Sequence, residues 1–188
     1  MRTFVAIDIP EAIRAEIRKV METPRPAAPR LRWSRPEGLH ITLKFIGEIS
    51  NSQVEHVKKL LAEWPRSAPI QISIRQTGFF PNESRPRVFW LGVEAGPDLA
   101  ALARQVDATT AALGIAQETR AYSPHLTLAR IAAPANLERL PAALAKLGRI
   151  DMGTFVAEDY FLYESKLAPG GSIYTKLQRF TLGDTNSR

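Results

Sequence analysis

Two short segments carry the side chains best suited to chemistry. His40-Ile41-Thr42-Leu43 and His125-Leu126-Thr127-Leu128 share the pattern His-x-Thr-Leu, and the chain has only 3 histidines. Each copy lies in an apolar, β-rich run, HITLKFIG and HLTLARIA. Side chains alternate faces along a strand, so His40 and Thr42 point one way and Ile41 and Leu43 the other. His125 and Thr127 stand to Leu126 and Leu128 in the same relation. Two such strands facing each other across a cleft hold two imidazoles and two hydroxyls around one small anion. That arrangement suits acid/base chemistry at a phosphodiester.

Opening a cyclic phosphodiester with water needs a base to take a proton from the water and an acid to protonate the departing oxygen. Histidine, with an ordinary pKa near ~6.5, does either near neutrality. In-line displacement sets nucleophile and leaving group on opposite sides of phosphorus, which two opposed imidazoles match. Each threonine hydroxyl lies about 6–7 Å along the same face and is placed for the non-bridging oxygens. A lone histidine in an apolar run reads as a satisfied core residue; a four-residue pattern repeated in the same context argues for chemistry instead. His56, mid-helix in VEHVKKL, reads as solvated. A metal site is the main competitor, but there is no H-E-x-x-H, no cysteine, and no carboxylate beside either motif within its strand. No G-x-S-x-G elbow, phosphate-binding loop or dinucleotide fingerprint occurs. Neither a metal nor a cofactor is therefore expected.

The motifs must be positioned by a fold resting on its apolar core alone, since 0 cysteines exclude disulfides. The chain of 188 residues, 45% hydrophobic and 23% charged, suits one well-buried core or two small lobes sharing one. A net charge of +6, rich in arginine, favours an anionic partner such as RNA. The N-terminus reads as a strand and an amphipathic helix rather than a signal peptide, so a cytoplasmic protein without membrane attachment is expected.

Strands and helices alternate. Thr3–Ile9 is a predicted strand, and Pro10 begins a helix to about Met21. The segment Pro24–Arg30 is expected as a proline-rich loop, excluded from helix, whose Arg25 and Arg30 are in reach of a ligand. Leu31–Trp33 is extended, and RPEG turns into the first histidine strand. Ser50 and Gln53 form a capping box for a helix ending near Trp64. Ile70–Phe79 and Arg87–Val93 form a hairpin across PNESRP. A helix spans Pro97–Leu113, stopped by Gly114. After the second histidine strand, Asn136–Leu147 is helical, with Pro141 either kinking it or marking its start. Phe155–Leu167 reads as one strand, paired with Ile173–Leu182 through APGGS. The histidines are 85 residues apart (125 − 40), close to half the chain. With no low-complexity linker between them, residues 1–183 read as one bilobal domain, followed by a polar tail, 184–188.

Taken together, RTFVAIDIP, WSRPEGLHITLKFIGEI, GFFPNESRPRVFWLGV, AYSPHLTLARI and FLYESKLAPGGSIYTKL cover nearly the whole chain in a recognisable pattern. The sequence resembles the bacterial RNA 2′,3′-cyclic phosphodiesterases, also called 2′-5′ RNA ligases, of the LigT-like two-histidine phosphoesterase superfamily. The resemblance implies an α+β fold of two pseudo-twofold-related lobes, each an antiparallel sheet with helices on its outer face, enclosing a central cleft. It implies metal-independent hydrolysis of an RNA terminal 2′,3′-cyclic phosphate to a 2′-phosphomonoester, with reversible 2′-5′ ligation at the same site. Partners would be RNA ends or 2′,3′-cyclic nucleotides, and the protein would be a monomer. His40 would be the acid to the 3′-oxygen, His125 would position or deprotonate the water, and Thr42 and Thr127 would hold phosphate oxygens. Phe45 would stack on the base and Arg130 grip the phosphate. Strict alternation, however, puts Phe45 and Arg130 on the face opposite the histidines and gives the catalytic side to Lys44 and Ala129, unless the strands bulge or the side chains reach round the edge. Tyr122 is a second candidate base platform or a structural corner, and Trp33 is expected to pack. Alternatives are a non-catalytic RNA-binding module and a phosphodiesterase for another cyclic nucleotide-type substrate.

Overall fold

The computed structural model describes residues 1–64, 67–132, 136–169 and 171–183; the expected tail, 184–188, lies outside them. In chain order the elements are β1 (Arg2–Asp8), α1 (Glu11–Met21), α2 (Pro24–Ala27), β2 (Arg32–Trp33), a 3-10 turn (Pro36–Gly38), β3 (His40–Glu48), α3 (Asn51–Ala62), β4 (Ile70–Phe80), β5 (Val88–Ala95), α4 (Pro97–Ala111), β6 (His125–Arg130), α5 (Leu140–Leu147), β7 (Asp151–Ala157), β8 (Asp159–Ala168) and β9 (Gly171–Thr181). Two antiparallel sheets result, ordered β3-β1-β8-β9 and β2-β6-β5-β4-β7. Helix α4 lies against β3 and α1 against β7, so the helices pack on both sheets. This is the expected α+β architecture, and one continuous apolar cluster runs through both halves. Among the described residues no helix is long and apolar enough to cross a membrane.

Local chemistry explains most boundaries. Ser50 Oγ accepts from Gln53 N (3.2 Å) while Ser50 N donates to Gln53 Oε1 (2.9 Å), the reciprocal cap that starts α3. Pro141 is the second residue of α5 and marks its start, where a missing N–H costs nothing. The same reasoning corrects the loop expected at Pro24–Arg30. Pro24 and Pro26 sit in the first turn of a four-residue helix, whose amides have no intrahelical partner in any case. The single strand expected over Phe155–Leu167 is also corrected. It breaks at Glu158: β7 pairs with β4 in one sheet and β8 with β1 in the other. At the crossing the apolar run is interrupted only by Glu158 and Asp159, with no glycine or proline to signal a turn. The hairpin of β8 and β9 is present, closing at Ala168 opposite Gly171.

The strand register settles the facing of the two motifs. Ala6 pairs with Thr42 and Val5 with Lys44, which leaves Leu43 without a partner. Trp90 pairs with Thr127 and Phe89 with Ala129, which leaves Leu128 without one. One extra residue at the same place in each histidine strand is a β-bulge, and it shifts the alternation by one. Leu43 and Lys44 are consequently both buried, as are Leu128 and Ala129. The expectation that Lys44 and Ala129 share the histidine face is overturned. Phe45 and Arg130 take that face instead.

Burying Lys44 requires a charge partner. Its Nζ donates to Asp107 Oδ1 (2.5 Å) and to the Ala116 carbonyl (2.6 Å), and Asp107 also accepts from Glu118 N (3.1 Å). Removing one member of such a pair strands a desolvated charge, which typically costs more than the pair contributes. Asp107→Ala should lower unfolding free energy by about 3 kcal/mol in urea denaturation, and the double change Lys44→Met with Asp107→Leu should recover most of it. A loss near zero for Asp107→Ala would show that the buried ammonium does not depend on this carboxylate.

Candidate active site

The face presented by each sheet follows from register. On the first sheet His40 lies opposite Asp8, Thr42 opposite Ala6 and Phe45 opposite Phe4. On the second, His125 lies opposite Gly92, Thr127 opposite Trp90 and Arg130 opposite Val88. Directly opposed residues project to the same side of an antiparallel pair. Behind the motifs, Ile41, Leu43, Leu126 and Leu128 are all at most 5% exposed and anchor the strands from the core side. Burying a side chain of this size contributes about 1.5–3 kcal/mol, so four of them outweigh the few hydrogen bonds of a short strand in fixing its facing. Strands β3 and β6 approach with Cα atoms within 8 Å, which brings the two motif-bearing strands together.

Both imidazoles are held by the same device. His40 Nδ1 lies 2.8 Å from the Gly38 carbonyl and His125 Nδ1 lies 2.8 Å from the Ser123 carbonyl, each two residues upstream. A carbonyl only accepts, so Nδ1 carries the hydrogen in both rings and Nε2 is left for proton exchange. Their surroundings differ. His40 sits among Phe4 (4.6 Å), Tyr163 (6.2 Å) and the edge of Tyr174 (5.0 Å between centroids). His125 has Phe80 edge-on at 4.9 Å. Burial lowers the His40 pKa below its ordinary value, against the raising effects of the Gly38 carbonyl and the Asp8 carboxylate. The charges of Arg130 and His125 lower it further, so both groups of the second sheet act on His40 across the cleft.

Asp8 is itself held ionised. Its burial acts to raise its pKa, but hydrogen bonds from Lys176 and from the Ile9 amide, with the charges of Lys176 and Arg14, lower it overall. Lys176 Nζ reaches Asp8 Oδ2 at 2.6 Å and Arg14 reaches Oδ1 at 3.0 Å. No carboxylate can take the equivalent place beside His125. That position is Gly92, where a Cβ would collide with the Arg75 carbonyl oxygen.

The remaining expected residues fall as follows. Among the described residues, no protein group hydrogen-bonds the Thr42 or Thr127 hydroxyl, while their carbonyls accept from Tyr122 Oη (3.0 Å) and Ser34 Oγ (2.7 Å) respectively. Phe45 is 51% exposed, with the Arg2 guanidinium 5.0 Å from its ring centre, so it is not a core residue. Arg130 is exposed and makes no salt bridge among the described residues. Tyr122 packs against the core, and its hydroxyl donates to the Thr42 carbonyl of β3. Trp33 packs edge-on to Phe89 at 6.0 Å and donates to the Ala28 carbonyl at 2.8 Å. Arg25 donates to the Ser34 carbonyl at 3.3 Å, and His56 is exposed. Among the described residues no three His, Asp or Glu side chains converge as a metal site requires. Sequence reasoning missed Asp8, Phe4, Phe80, Trp90, Tyr163 and Tyr174. The period-two phase of RTFVAID was the one available signal, since it puts Phe4, Ala6 and Asp8 on a common face.

The family described as LigT like Phosphoesterase matches the chain twice, over residues 7–90 and 91–174. The chain belongs to the LigT-like phosphoesterase family. Each match holds one His-x-Thr-Leu motif, so the two halves of the LigT-like fold are repeats of one unit. Similar proteins include an RNA 2′,3′-cyclic phosphodiesterase of Methanothermobacter thermautotrophicus, 33% identical over 97% of this chain and 99% of that one. Another of the same name from Methanocaldococcus jannaschii is 36% identical over 96% and 100%. Among solved structures, E. coli LigT complexed with 3′-AMP superposes with a TM-score of 0.76 at 28% identity, covering 97% of this chain and 98% of that one.

The unequal surroundings of the two LigT-like motifs predict an observable titration. Since the folded state disfavours the His40 imidazolium, the unfolded chain takes up this proton first as pH falls through about 6.5; stability then declines until the lower folded pKa of His40 is passed, below which the loss is complete and persists. The His40 ring signals, assigned through His40→Gln, should titrate with a midpoint below 6.5 in ligand-free protein. A midpoint at or above that value would mean that Asp8 outweighs burial.

Proposed function

We propose that this protein opens the 2′,3′-cyclic phosphate at the 3′ end of RNA to a 2′-phosphomonoester, without a metal, using His40 and His125 as acid and base. The reading rests chiefly on two imidazoles of fixed tautomer, each beside a threonine hydroxyl that no described residue hydrogen-bonds, carried on strands β3 and β6 that approach each other. The names of the curated relatives point to the same reaction. Residues 1–183 would act as one bilobal unit, as a cytoplasmic monomer whose partners are RNA ends or 2′,3′-cyclic nucleotides, with no cofactor.

In the proposed reaction a water lies in line with the P–O3′ bond. His125 Nε2 takes a proton from the water as its oxygen bonds to phosphorus. The P–O3′ bond breaks, and protonated His40 delivers its Nε2 proton to the departing 3′-oxygen. Thr42, Thr127 and Arg130 donate to the non-bridging oxygens, and the base stacks on Phe45. Each turnover leaves His40 neutral and His125 protonated, so proton exchange with solvent resets the pair. With a 5′-hydroxyl of a second RNA in place of water, the same proton transfers give a 2′-5′ linkage. A module that only binds RNA has no use for two imidazoles with committed tautomers.

Burial favours neutral His40 in the free protein, which taken alone suits a base. Two features favour the acid role. Asp8 stands across from His40 and not from His125, and a bound phosphodiester anion draws the proton further toward His40.

Incubation with 2′,3′-cyclic AMP and EDTA should yield 2′-AMP. Formation of 3′-AMP would contradict the leaving-group assignment, and activity abolished by EDTA but restored by zinc would contradict the metal-free reading. His40→Ala and His125→Ala should each lower kcat by about 10²–10⁴-fold, with unchanged circular dichroism. A substrate with sulfur in place of the 3′-oxygen releases a thiolate that needs little protonation, so it should restore much of the rate to His40→Ala only. Rescue of His125→Ala in its place would reverse the two roles.

A further inference from the structure

Arg32 has no role in the reaction above, yet its position is unusual. In the pairing of β2 with β6, Arg32 lies directly opposite Arg130 and Trp33 opposite Ala129. Ala129 is fully buried, and Trp33 packs on Phe89, so that pair faces the core. Arg32 and Arg130 therefore project together to the opposite side, the one that carries Thr127 and His125. Like charges placed directly opposite on neighbouring strands repel. Both residues are exposed, and among the described residues neither has a carboxylate within 4.0 Å, whereas Arg14, Arg75 and Arg179 each have one. Two adjacent guanidinium groups without an acidic neighbour make a positive patch suited to phosphate groups.

An RNA end carries two phosphates, so each of these guanidinium groups can take one. Arg130 is near enough to His40 to lower its pKa and belongs with the reacting phosphate. Arg32 stands one strand further out, about 4.8 Å away at the sheet edge. A cyclic mononucleotide ends at its own phosphate and offers nothing there. A chain offers the internucleotide phosphate on the 5′ side of its terminal nucleotide. Resting on the function proposed above, we infer that Arg32 binds this second phosphate and makes the cleft selective for RNA ends over free cyclic nucleotides.

The test compares 2′,3′-cyclic AMP with the dinucleotide ApA bearing a 2′,3′-cyclic phosphate, at low salt. For Arg32→Gln, kcat/KM on the dinucleotide should fall about tenfold while the value for cyclic AMP stays unchanged, and Arg32→Lys should retain part of the preference. The slope of log kcat/KM against log salt on the dinucleotide should flatten by about 0.7, as expected for one lost phosphate contact on a single strand. Equal losses on the two substrates, or no loss on either, would overturn the assignment. If the unmodified protein hydrolyses neither substrate, the catalytic reading has failed on its own. Calorimetric affinity for the 2′-phosphorylated dinucleotide then decides the question: loss of affinity in Arg32→Gln supports a phosphate contact, and equal affinity removes it.

Discussion

One unpaired leucine in each histidine strand determines which side chains share the cleft. Leu43 and Leu128 lack cross-strand partners, and each shifts the alternation of its strand by one residue. Without the first bulge Lys44 would stand on the same face as His40 and Thr42, and Phe45 would turn into the core. An ammonium there would disfavour the protonated imidazole that a general acid requires. Without the second, Ala129 would take the place of Arg130 on the histidine face. The bulges thus convert two ordinary strands into surfaces with three useful positions in a row. The first has to be supported by the Lys44–Asp107 pair, because the shift that exposes Phe45 buries its charged neighbour.

Repetition supplies matched imidazoles, and the neighbouring strands make them unequal. The backbone carbonyl two residues upstream fixes the same tautomer in both. The difference comes from β1 and β5. Asp8 opposes His40, whereas Gly92, confined to glycine by the Arg75 carbonyl, opposes His125. Aromatic enclosure of His40 by Phe4, Tyr163 and Tyr174 acts in the opposite sense to Asp8, since it penalises charge. In the proposed reaction, a site balanced in this way would respond to its substrate. A bound anion supplies the additional field that a partly opposed carboxylate does not.

Elements were legible in the sequence where a local cause was sufficient. The capping box at Ser50 and Gln53, the proline at the start of α5 and the two histidine strands each follow from chemistry within a few residues. The motif residues were legible for the same reason, because a repeat in register is visible without any structure. Three features were not. The crossing at Glu158 carries no glycine or proline to mark a turn, so only pairing reveals that β7 and β8 serve two sheets. The bulges depend on register with β1 and β5, which no single strand encodes. Asp8 carries no local signal of its own, since its place in the site depends on a cross-strand partner 32 positions away (40 − 8).

The order of strands explains how the two histidine strands are held at a fixed separation. Strands β1 and β3 come from the first repeat, but β8 and β9, which complete their sheet, come from the second half of the chain. In the other sheet, β6 and β7 from the second half flank β5 and β4. Helix placement crosses over in the same way, with α4 on β3 and α1 on β7. Moving one sheet against the other would therefore strain segments that belong to both, including the short passages from Trp33 to His40 and from Ala157 to Asp159. The shared apolar cluster adds a cost that grows with every side chain exposed. Acid/base catalysis at phosphorus tolerates little variation in the distance between donor and acceptor. Exchange of strands between the repeats meets that requirement in a chain with no disulfide to hold its lobes together.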